Sequence, residues 1–256
     1  MSGASTGFDL RGRLALVTGA GSGIGAGIAG VLADAGATLL IADRDAAAAD
    51  RTVTALVQRG GSAHALVVDL ADEASIVRAC AEAIAGHGTP WLLVNNAGLQ
   101  DRELLLETTS AEWDRMMAVN ARGPLLMIRE IGRAMVAAGN GGRIVNIASN
   151  SARTAAVNGL ASYASSKGAL LSLSLTSAFE LVEHGITVNT VLPGGVTTPG
   201  AIAARGPATA GPARRKPPLG MCEPQDIGAA VLFFAAPAAR YVTNQMITVD
   251  AGASLT

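Results

Sequence analysis

The sequence predicts an α/β protein built on a doubly wound parallel sheet of seven strands, with helices on both faces. Three observations indicate this class. Seven short apolar runs alternate with longer amphipathic stretches, the runs are apolar almost throughout, and half of the 256 residues are hydrophobic although only 3% are aromatic. Near-continuous apolar strands are typical of parallel sheets that helices cover on both sides. Repeated alternation of strands and helices favours the doubly wound arrangement.

The predicted elements follow one another along the whole chain. The apolar runs predict strands over residues 14–17, 38–41, 65–68, 91–94, 143–147, 186–191 and 245–249. Between them, apolar residues at helical spacing predict helices over residues 24–35, 46–59, 75–85, 111–137, 162–183 and 224–235. No linker and no internal repeat divides this pattern, so we expect one domain over residues 1–256.

Residues 199–219 break the alternation with several prolines and glycines. A loop of this length inside a compact domain is usually functional or disordered. It follows the sixth strand and therefore starts at the carboxyl edge of the sheet, where open α/β sheets bind ligands. We expect a lid over a substrate. Its basic triplet Arg214–Lys216 is either a solvated surface of this lid or a contact for an anionic group of the substrate.

Charge and hydropathy bound the partners and the location. The formal net charge is -1, so no global field attracts nucleic acid or an anionic membrane. No apolar run approaches the ~20 residues of a membrane span, and the N-terminus lacks the charged start and apolar core of a secretory signal. We expect a cytoplasmic protein without a nucleic-acid or membrane partner.

No metal site is expected either. Cys80 and Cys222 lie far apart in the sequence, and neither belongs to a pair with redox or metal-ligand spacing. The three histidines, His64, His87 and His184, are scattered and lack the spacing of metal ligands. We expect them on the surface or in loops.

A glycine-rich segment, Thr18–Gly25, follows the first strand and opens the first helix. Glycine allows a tight turn and a close approach to a pyrophosphate, and the helix N-terminus supplies oriented N–H groups. The position between a strand and a helix is the context that this motif requires. We therefore predict a dinucleotide-binding turn formed by Gly19, Ser22, Gly23, Ile24 and Gly25.

Acidic residues after the second and third strands point to the adenosine half of the dinucleotide. Asp43 lies where a carboxylate accepts hydrogen bonds from a ribose, and it would repel a 2′-phosphate. The sequence thus favours NAD over NADP, although the adjacent Arg44 offers a guanidinium for a phosphate or for adenine stacking. Asp69, followed by Leu70, is expected at the end of the third strand, where its carboxylate either receives the adenine amino group or caps the helix that begins near Asp72.

Tyr163 and Lys167 are the strongest candidates for catalysis. A phenol has an unperturbed pKa of about 10 and is a poor acid at neutral pH. A lysine four residues later lies on the same helix face, one turn on. Its ammonium group favours the phenolate, so we expect Lys167 to lower the pKa of Tyr163 toward the working pH.

Together these segments resemble the short-chain dehydrogenase/reductase family from about residue 10 to residue 252. The matching motifs are Thr18–Gly25, Asn95-Asn96-Ala97-Gly98, Asn120, Ser149, Tyr163-Ala-Ser-Ser-Lys167 and Pro193-Gly194. The resemblance implies a single Rossmann-type domain, a nicotinamide cofactor and hydride transfer between an alcohol and a carbonyl. It also implies a homotetramer or homodimer that packs through the long helices around Arg115 and Ser172.

The resemblance also implies individual roles. Tyr163 is the general acid/base, Lys167 lowers its pKa and hydrogen-bonds the nicotinamide ribose, Ser149 holds the substrate oxygen, and Asn120 anchors a water that links Lys167 to solvent. The remaining residues expected along the cofactor are Asn96, Ala97 and Gly98 after the fourth strand and Pro193, Val196 and Thr198 after the sixth.

One interval departs from the family pattern. The catalytic serine usually precedes the tyrosine by thirteen residues, whereas Ser149 precedes Tyr163 by fourteen and Ser151 by twelve. We prefer Ser149, because it directly follows the fifth strand and one extra residue fits easily in the loop between them.

The leading interpretation is an NAD-dependent dehydrogenase or reductase for a secondary alcohol or its ketone. Asn150 and Gln100 suit a hydroxylated substrate such as a polyol or sugar, while neighbouring leucines suit a cyclic alcohol. A 3-oxoacyl thioester reductase is the alternative enzyme, and a dinucleotide-binding protein without turnover is the alternative outside enzymes.

Overall fold

The computed structural model describes residues 7–154, 158–200, 206 and 217–255. Seven parallel strands form one sheet, as the sequence predicts, and their order is β3-β2-β1-β4-β5-β6-β7. The strands are β1 (Leu14–Thr18), β2 (Thr38–Asp43), β3 (Ser62–Val67), β4 (Leu92–Asn95), β5 (Gly142–Ile147), β6 (Ile186–Pro193) and β7 (Met246–Val249).

Helices cover both faces of this sheet. In chain order they are α1 (Gly23–Asp34), α2 (Ala46–Gln58), α3 (Glu73–His87), α4 (Ser110–Met117), α5 (Gly123–Ala138), α6 (Ala161–Leu181) and α7 (Pro224–Ala235). Helices α1, α2 and α7 enclose one hydrophobic core against the sheet, and α3, α5 and α6 enclose the other. Among the described residues, no helix combines the length and apolarity that crossing a bilayer requires.

The register of the strands explains how one sheet serves two cores. Along β1, Ala15 and Val17 face the α1 side, whereas Leu16 faces the α3 side. Successive side chains of a strand point to opposite faces, so a strand buried on both faces is apolar at every position. This is why the central strands were visible in the sequence as continuous apolar runs.

The third strand begins earlier than the apolar pattern predicts, at Ser62 rather than at Ala65. It lies at the edge of the sheet, beside β2 alone. Its exposed positions, such as His64 and Val67, do not need to be apolar. An edge strand therefore loses the continuous hydrophobic signal that marks a central one.

The long helix predicted over residues 111–137 is interrupted. Helix α4 ends at Met117, and a π-helical turn, Ala118–Arg122, joins it to α5. Such turns occur frequently at functional sites.

The order of the strands determines where a ligand can bind. The chain moves outward from β1 through β2 to β3, then returns to place β4 on the other side of β1. The connections after β1 and β4 therefore diverge and leave a crevice at the carboxyl edge of the sheet. The turns after β1, β2, β4, β5 and β6 all reach this edge.

Candidate active site

The turn after β1 is shaped by its glycines. Gly19 has a φ of +64° and Gly23 a φ of +55°, values in the left-handed region that favours glycine. A Cβ on Gly25 would overlap the carbonyl oxygen of Gly19 and lie 2.6 Å from Nδ2 of Asn96. Ser22 is the N-cap residue of α1, but its side chain makes no capping bond, while Ile24 packs against the core. This close packing directs the N-terminus of α1 toward the crevice.

The end of β4 is bound directly to this turn. Asn96 donates from Nδ2 to the carbonyl of Thr18 at 2.9 Å and to that of Gly19 at 3.3 Å. The Thr18 hydroxyl accepts from the backbone N–H groups of Asn96 and Ala97 at 3.0 and 3.1 Å. These bonds hold two walls of the crevice in a fixed relation.

Asp43 faces the same turn from the end of β2. Its carboxylate accepts from the Gly21 N–H at 2.9 Å and from the Asp45 N–H at 3.0 Å. Both bonds orient the carboxylate at the rim of the crevice, where it is only half-buried. Arg44, the next residue, is exposed.

Asp69 does not end β3, contrary to the sequence prediction. The strand stops at Val67, and Asp69 forms a turn in which its carboxylate accepts from the Ala71 N–H at 2.9 Å. Asp72, not Asp69, caps α3 by accepting from the Ala74 N–H. Asp69 is exposed and Leu70 is buried, so of these two residues Asp69 is the one whose side chain is open to solvent.

The segment after β6 forms the third wall. Pro193 ends the strand, and Val196 is buried and bridges to Cys222. Thr198 is also buried, and its Cβ lies 3.4 Å from where a Cβ on Gly23 would be. This segment therefore closes over the N-terminus of α1.

The three walls fit a dinucleotide. The glycine turn packs its backbone closely against neighbouring segments, the helix N-terminus offers N–H groups to a pyrophosphate, and the Asp43 carboxylate is fixed at the rim. The residues that would hold the nucleotide are Gly19, Ser22, Gly23, Ile24, Asp43 and Asn96. The structure thus brings together most of the predicted cofactor residues.

Asn120 occupies the π-helical turn and is fully buried. Its Oδ1 accepts from the Leu99 N–H at 2.8 Å, and its Nδ2 donates to the Leu99 carbonyl at 2.9 Å and to Ser166 Oγ at 3.0 Å. A Cβ on Gly98 would lie 3.2 Å from both Asn120 Oδ1 and Lys167 Nζ. The turn thus holds the loop after β4 against α6.

The Ser149 side chain acts on the Tyr163 phenol and lowers its pKa against the larger rise that burial causes. Ser149 follows β5 and Tyr163 lies in the first turn of α6; both are buried. Ser151 contacts Ser149 through its backbone N–H, which donates to Ser149 Oγ at 3.1 Å. The hydroxyl beside the phenol is therefore that of Ser149.

Lys167 is buried beside Tyr163, with Nζ 5.9 Å from the centroid of the phenol ring. Nζ donates to the carbonyl of Ile147, at the end of β5, at 2.8 Å. Burial lowers the pKa of Lys167 from 10.5 to about 8, because desolvation disfavours the charged form.

The expectation of a lowered pKa for Tyr163 is wrong for this structure. Burial raises the pKa of Tyr163 above 10, and the hydrogen bond with Ser149 offsets only part of that rise. The physical reason is that the phenol is desolvated, while the Lys167 ammonium is bonded to a backbone carbonyl rather than to the phenol oxygen.

One further polar residue of this cluster was not singled out from the sequence. Ser166 Oγ accepts from Asn120 Nδ2 and donates to the Tyr163 carbonyl at 2.7 Å. Ser166 thereby joins the π-helical turn to the helix that carries Tyr163. Its position three residues after Tyr163, on the same helix face, was the available signal.

The lid lies mostly outside the described residues, and so does the triplet Arg214–Lys216. The three histidines are exposed, as predicted, and the rings of His64 and His87 lie 4.3 Å apart, centroid to centroid. Helix α3 runs back along β3, which brings its C-terminal end beside the strand. Within the described ranges, no group of three or more His, Cys, Asp or Glu side chains could hold a metal ion.

Comparison with known proteins agrees with this geometry. The model of a family described as enoyl-(acyl carrier protein) reductase matches residues 19–254. Galactitol 2-dehydrogenase (L-tagatose-forming) of Cereibacter sphaeroides is 42% identical over 250 residues, with 96% of each chain covered. The chain belongs to the short-chain dehydrogenase/reductase family.

Other short-chain dehydrogenases extend the comparison. A (3R)-3-hydroxyacyl-CoA dehydrogenase of Canis lupus familiaris is 37% identical, with 95% of this chain and 96% of that protein covered. Among solved structures, a gluconate 5-dehydrogenase of Burkholderia cenocepacia J2315 in complex with NADP and tartrate has a TM-score of 0.89 at 31% identity. The structural match covers 99% of this chain and 100% of the gluconate 5-dehydrogenase chain.

Proposed function

We propose that this protein is an NAD-dependent short-chain alcohol dehydrogenase that interconverts a secondary alcohol and its ketone. The observation that carries the proposal is a buried phenol, Tyr163, whose pKa the Ser149 side chain lowers and which lies one helical turn from the buried Lys167. A buried tyrosine with these neighbours at the crevice of a Rossmann-type sheet is suited to exchange a proton with a bound alcohol.

The proposed oxidation separates a hydride from a proton. A bound nicotinamide dinucleotide would supply the hydride acceptor for the hydrogen on the alcohol carbon. The proton on the alcohol oxygen moves to the Tyr163 phenolate, and a C=O bond forms. Ser149 Oγ hydrogen-bonds the same oxygen and stabilises its developing negative charge. Reduction of the ketone follows the same path in reverse, with Tyr163 as the acid.

Lys167 and Asn120 complete the proposed proton path. With its pKa lowered to about 8, Lys167 exchanges its proton near neutral pH. We assign Lys167 to the nicotinamide ribose as well, and Pro193, Val196 and Thr198 to the carboxamide side of the ring. The Asn120 side chain is fully engaged with Leu99 and Ser166, so any water of the relay would be anchored by the backbone of its π-helical turn.

Asp43 supports NAD as the preferred cofactor. Its carboxylate is held at the rim by two backbone N–H groups, so it cannot turn away from a 2′-phosphate without breaking both bonds. The related gluconate 5-dehydrogenase was solved with NADP, and Asp43 is our reason for proposing NAD here.

A polyol or sugar is the proposed substrate class. The galactitol dehydrogenase is 42% identical over nearly the full length, and the gluconate dehydrogenase is similar over the whole chain. Both names denote substrates with several hydroxyl groups. A 3-oxoacyl thioester reductase is the second candidate, supported by the 37% identical (3R)-3-hydroxyacyl-CoA dehydrogenase.

We further propose one dehydrogenase domain with a lid over residues 199–219, assembled as a homotetramer or homodimer. The continuous seven-stranded sheet supports the single domain. Exposed apolar side chains on α5 and α6 support the assembly, since large unpaired apolar surfaces mark interaction sites; they are Leu125, Leu175 and Phe179. The molar mass in solution tests this part of the proposal.

The experiment for the function is a panel of polyols, sugars, cyclic alcohols and 3-hydroxyacyl thioesters, assayed with NAD and with NADP. We expect turnover of a polyol or sugar, with NAD preferred. In Asp43→Ser the preference for NAD over NADP should fall tenfold or more, equivalent to at least about 1.4 kcal/mol. Turnover of thioesters alone would favour the second candidate, and nucleotide binding without turnover of any compound would contradict an enzyme.

A further inference from the structure

The π-helical turn Ala118–Arg122 is bonded to two separate parts of the chain. Through Asn120 it is hydrogen-bonded to the loop after β4 and to α6, on the catalytic side of the crevice. Through Arg122 it is bonded to the connection between β3 and α3, because Nη2 of Arg122 donates to the carbonyl of Ala71 at 3.0 Å. One short turn therefore contacts both the catalytic residues and the segment expected along the adenosine.

The connection that accepts this bond is a turn at residues 69–72, which we call the β3–α3 turn. The Asp69 carboxylate accepts from the Ala71 N–H at 2.9 Å, and the Asp69 carbonyl accepts from the Asp72 N–H at 3.2 Å. The Asp69 N–H in turn donates to Ser75 Oγ at 3.0 Å. These bonds are local, so they fix the shape of the turn and not its position in the crevice.

Its position depends on the start of α5. A Cβ on Gly123 would lie 2.9 Å from Cβ of Leu70 and 3.1 Å from the Leu70 carbonyl oxygen, so the two backbones are in close contact there. Leu70 is buried, whereas Ala71 is exposed. Two consecutive residues, Arg122 and Gly123, thus hold two consecutive residues of the β3–α3 turn, and Arg122 holds the exposed one.

The Arg122 guanidinium serves this contact alone. Among the residues that the structure describes, no carboxylate forms an ion pair with Arg122, and the Ala71 carbonyl is its one hydrogen-bond acceptor. A hydrogen bond from an ionised donor is stronger than one between neutral groups. Its loss should therefore release the exposed part of the turn and leave the buried Leu70 in place.

We propose that Arg122 is a positioning residue for the adenosine half of the cofactor and acts through the β3–α3 turn. The proposal rests on the NAD-dependent function proposed above and on the expectation that Asp69 and Leu70 lie along the adenine. A turn that is already held in place loses less conformational entropy when a ligand binds, and this raises the affinity. Arg122 thus contributes to cofactor affinity and not to proton transfer.

The decisive variant is Arg122→Met, which keeps an apolar stem and removes the donor. We expect the Kd for NAD and the Kd for ADP-ribose, which lacks the nicotinamide, to rise by the same factor of about five, as the loss of one hydrogen bond implies. The kcat at saturating NAD should stay within about twofold of wild type, because Asn120 keeps its bonds to Leu99 and Ser166. Calorimetric titration with each nucleotide measures the two Kd values.

Arg129→Met is the matched control, since Arg129 lies on α5 and its Nη2 donates to the Glu73 carboxylate at 2.9 Å. Glu73 is the first residue of α3, so this bond joins the same two elements without contact to the β3–α3 turn. Both Kd values should stay near those of wild type in Arg129→Met. Arg122→Lys, which keeps a charged donor on a long stem, should bind both nucleotides more tightly than Arg122→Met does. Equal weakening in Arg122→Met and Arg129→Met would overturn the proposal.

Hydrogen exchange in the unliganded protein provides a readout that depends on neither turnover nor binding. The amides of Ala71 and Asp72, which bond to Asp69 within the turn, should exchange severalfold faster in Arg122→Met and at the wild-type rate in Arg129→Met. Wild-type exchange in Arg122→Met, or weaker binding of NAD without weaker binding of ADP-ribose, would also overturn the proposal. If wild type bound neither nucleotide, the proposed function would fail instead, and the exchange rates would still show whether Arg122 holds the turn.

Discussion

The two sides of the crevice are formed by different kinds of chemical group. The cofactor side, around Gly19 and Gly25, consists of backbone groups that approach so closely that an added methyl group would overlap them. The catalytic side consists of buried polar side chains, including Asn120 and Lys167, each hydrogen-bonded to a partner from another part of the chain. One side depends on glycines that lack a side chain and so allow this close packing, and the other depends on chemical groups that must be present.

This contrast teaches where each side is vulnerable. On the cofactor side, a change of volume should damage folding and binding together. On the catalytic side, a change of chemistry at constant volume should stop turnover and leave the fold intact, or even more stable. The predictions below test the two halves of this statement in turn.

The largest effect is expected for Gly25→Ala. The new Cβ would overlap the Gly19 carbonyl oxygen and crowd the Asn96 amide, so the free energy of unfolding should fall by about 3 kcal/mol or more. Gly30→Ala, in the same helix, is the matched control. Its Cβ would meet only Arg59 Nη1 at 3.7 Å, so it should stabilise the protein by about 0.5–1 kcal/mol.

Thermal unfolding and NAD titration of the two variants measure this contrast. Equal stability of Gly25→Ala and Gly30→Ala would show that the cofactor side has spare volume.

Lys167→Met should separate activity from stability on the catalytic side. Lowering the pKa of Lys167 from 10.5 to about 8 corresponds to roughly 3 kcal/mol opposing the charged folded form. Loss of the hydrogen bond from Nζ to the Ile147 carbonyl lowers the free energy of unfolding by about 1–2 kcal/mol. We therefore expect turnover to be abolished while stability at pH 7 rises by about 1–2 kcal/mol, the difference between these figures.

The pH dependence of stability gives the sign of the same effect. Between pH 8 and pH 10.5 the unfolded chain binds more protons at Lys167 than the folded chain does, so wild-type stability should rise across this interval. The rise should be smaller in Lys167→Met, and Lys167→Arg, which keeps a buried charge, should gain no stability. A fall in Tm for Lys167→Met at pH 7 would contradict the claim that the buried Lys167 ammonium destabilises the folded protein.

Ser149→Ala should give a smaller, pH-dependent effect. The hydrogen bond with Ser149 lowers the pKa of Tyr163 against the rise caused by burial, so its removal should raise that pKa further. Because alcohol oxidation requires the deprotonated phenol, the pH–rate profile should move to higher pH, with a greater loss at pH 8 than at pH 10.

Ser151→Ala is the comparison for this profile, since Ser151 reaches Ser149 through its backbone amide. It should leave the profile near that of wild type. A shift in Ser151→Ala but not in Ser149→Ala would reverse the assignment of the two serines.

The difference between the two sides also explains what the sequence could predict. The glycine turn and the pair Tyr163 and Lys167 are local patterns, each readable within eight residues of one element. The central strands were equally visible, because burial on both faces makes them continuously apolar.

The features of the site that the sequence did not predict depend on contacts between distant segments. The π-helical turn at Asn120, the bridge through Ser166 and the bond from Lys167 to the Ile147 carbonyl arise only when β4, β5 and α6 pack together. For the same reason the raised pKa of Tyr163 could not be read from spacing, since burial is a property of the folded chain. The edge strand β3 was misplaced because solvent exposure removes the apolar pattern.

The measurement that tests the central claim most directly is turnover of a polyol by Tyr163→Phe, compared with wild type after both are shown to bind NAD and to unfold at similar temperatures. The substitution removes one oxygen atom and keeps the ring that packs beside Met116 and Leu160. We predict that NAD affinity is retained and that kcat falls by 10²-fold or more, the typical contribution of a general acid/base. An unchanged kcat would contradict Tyr163 as the proton carrier.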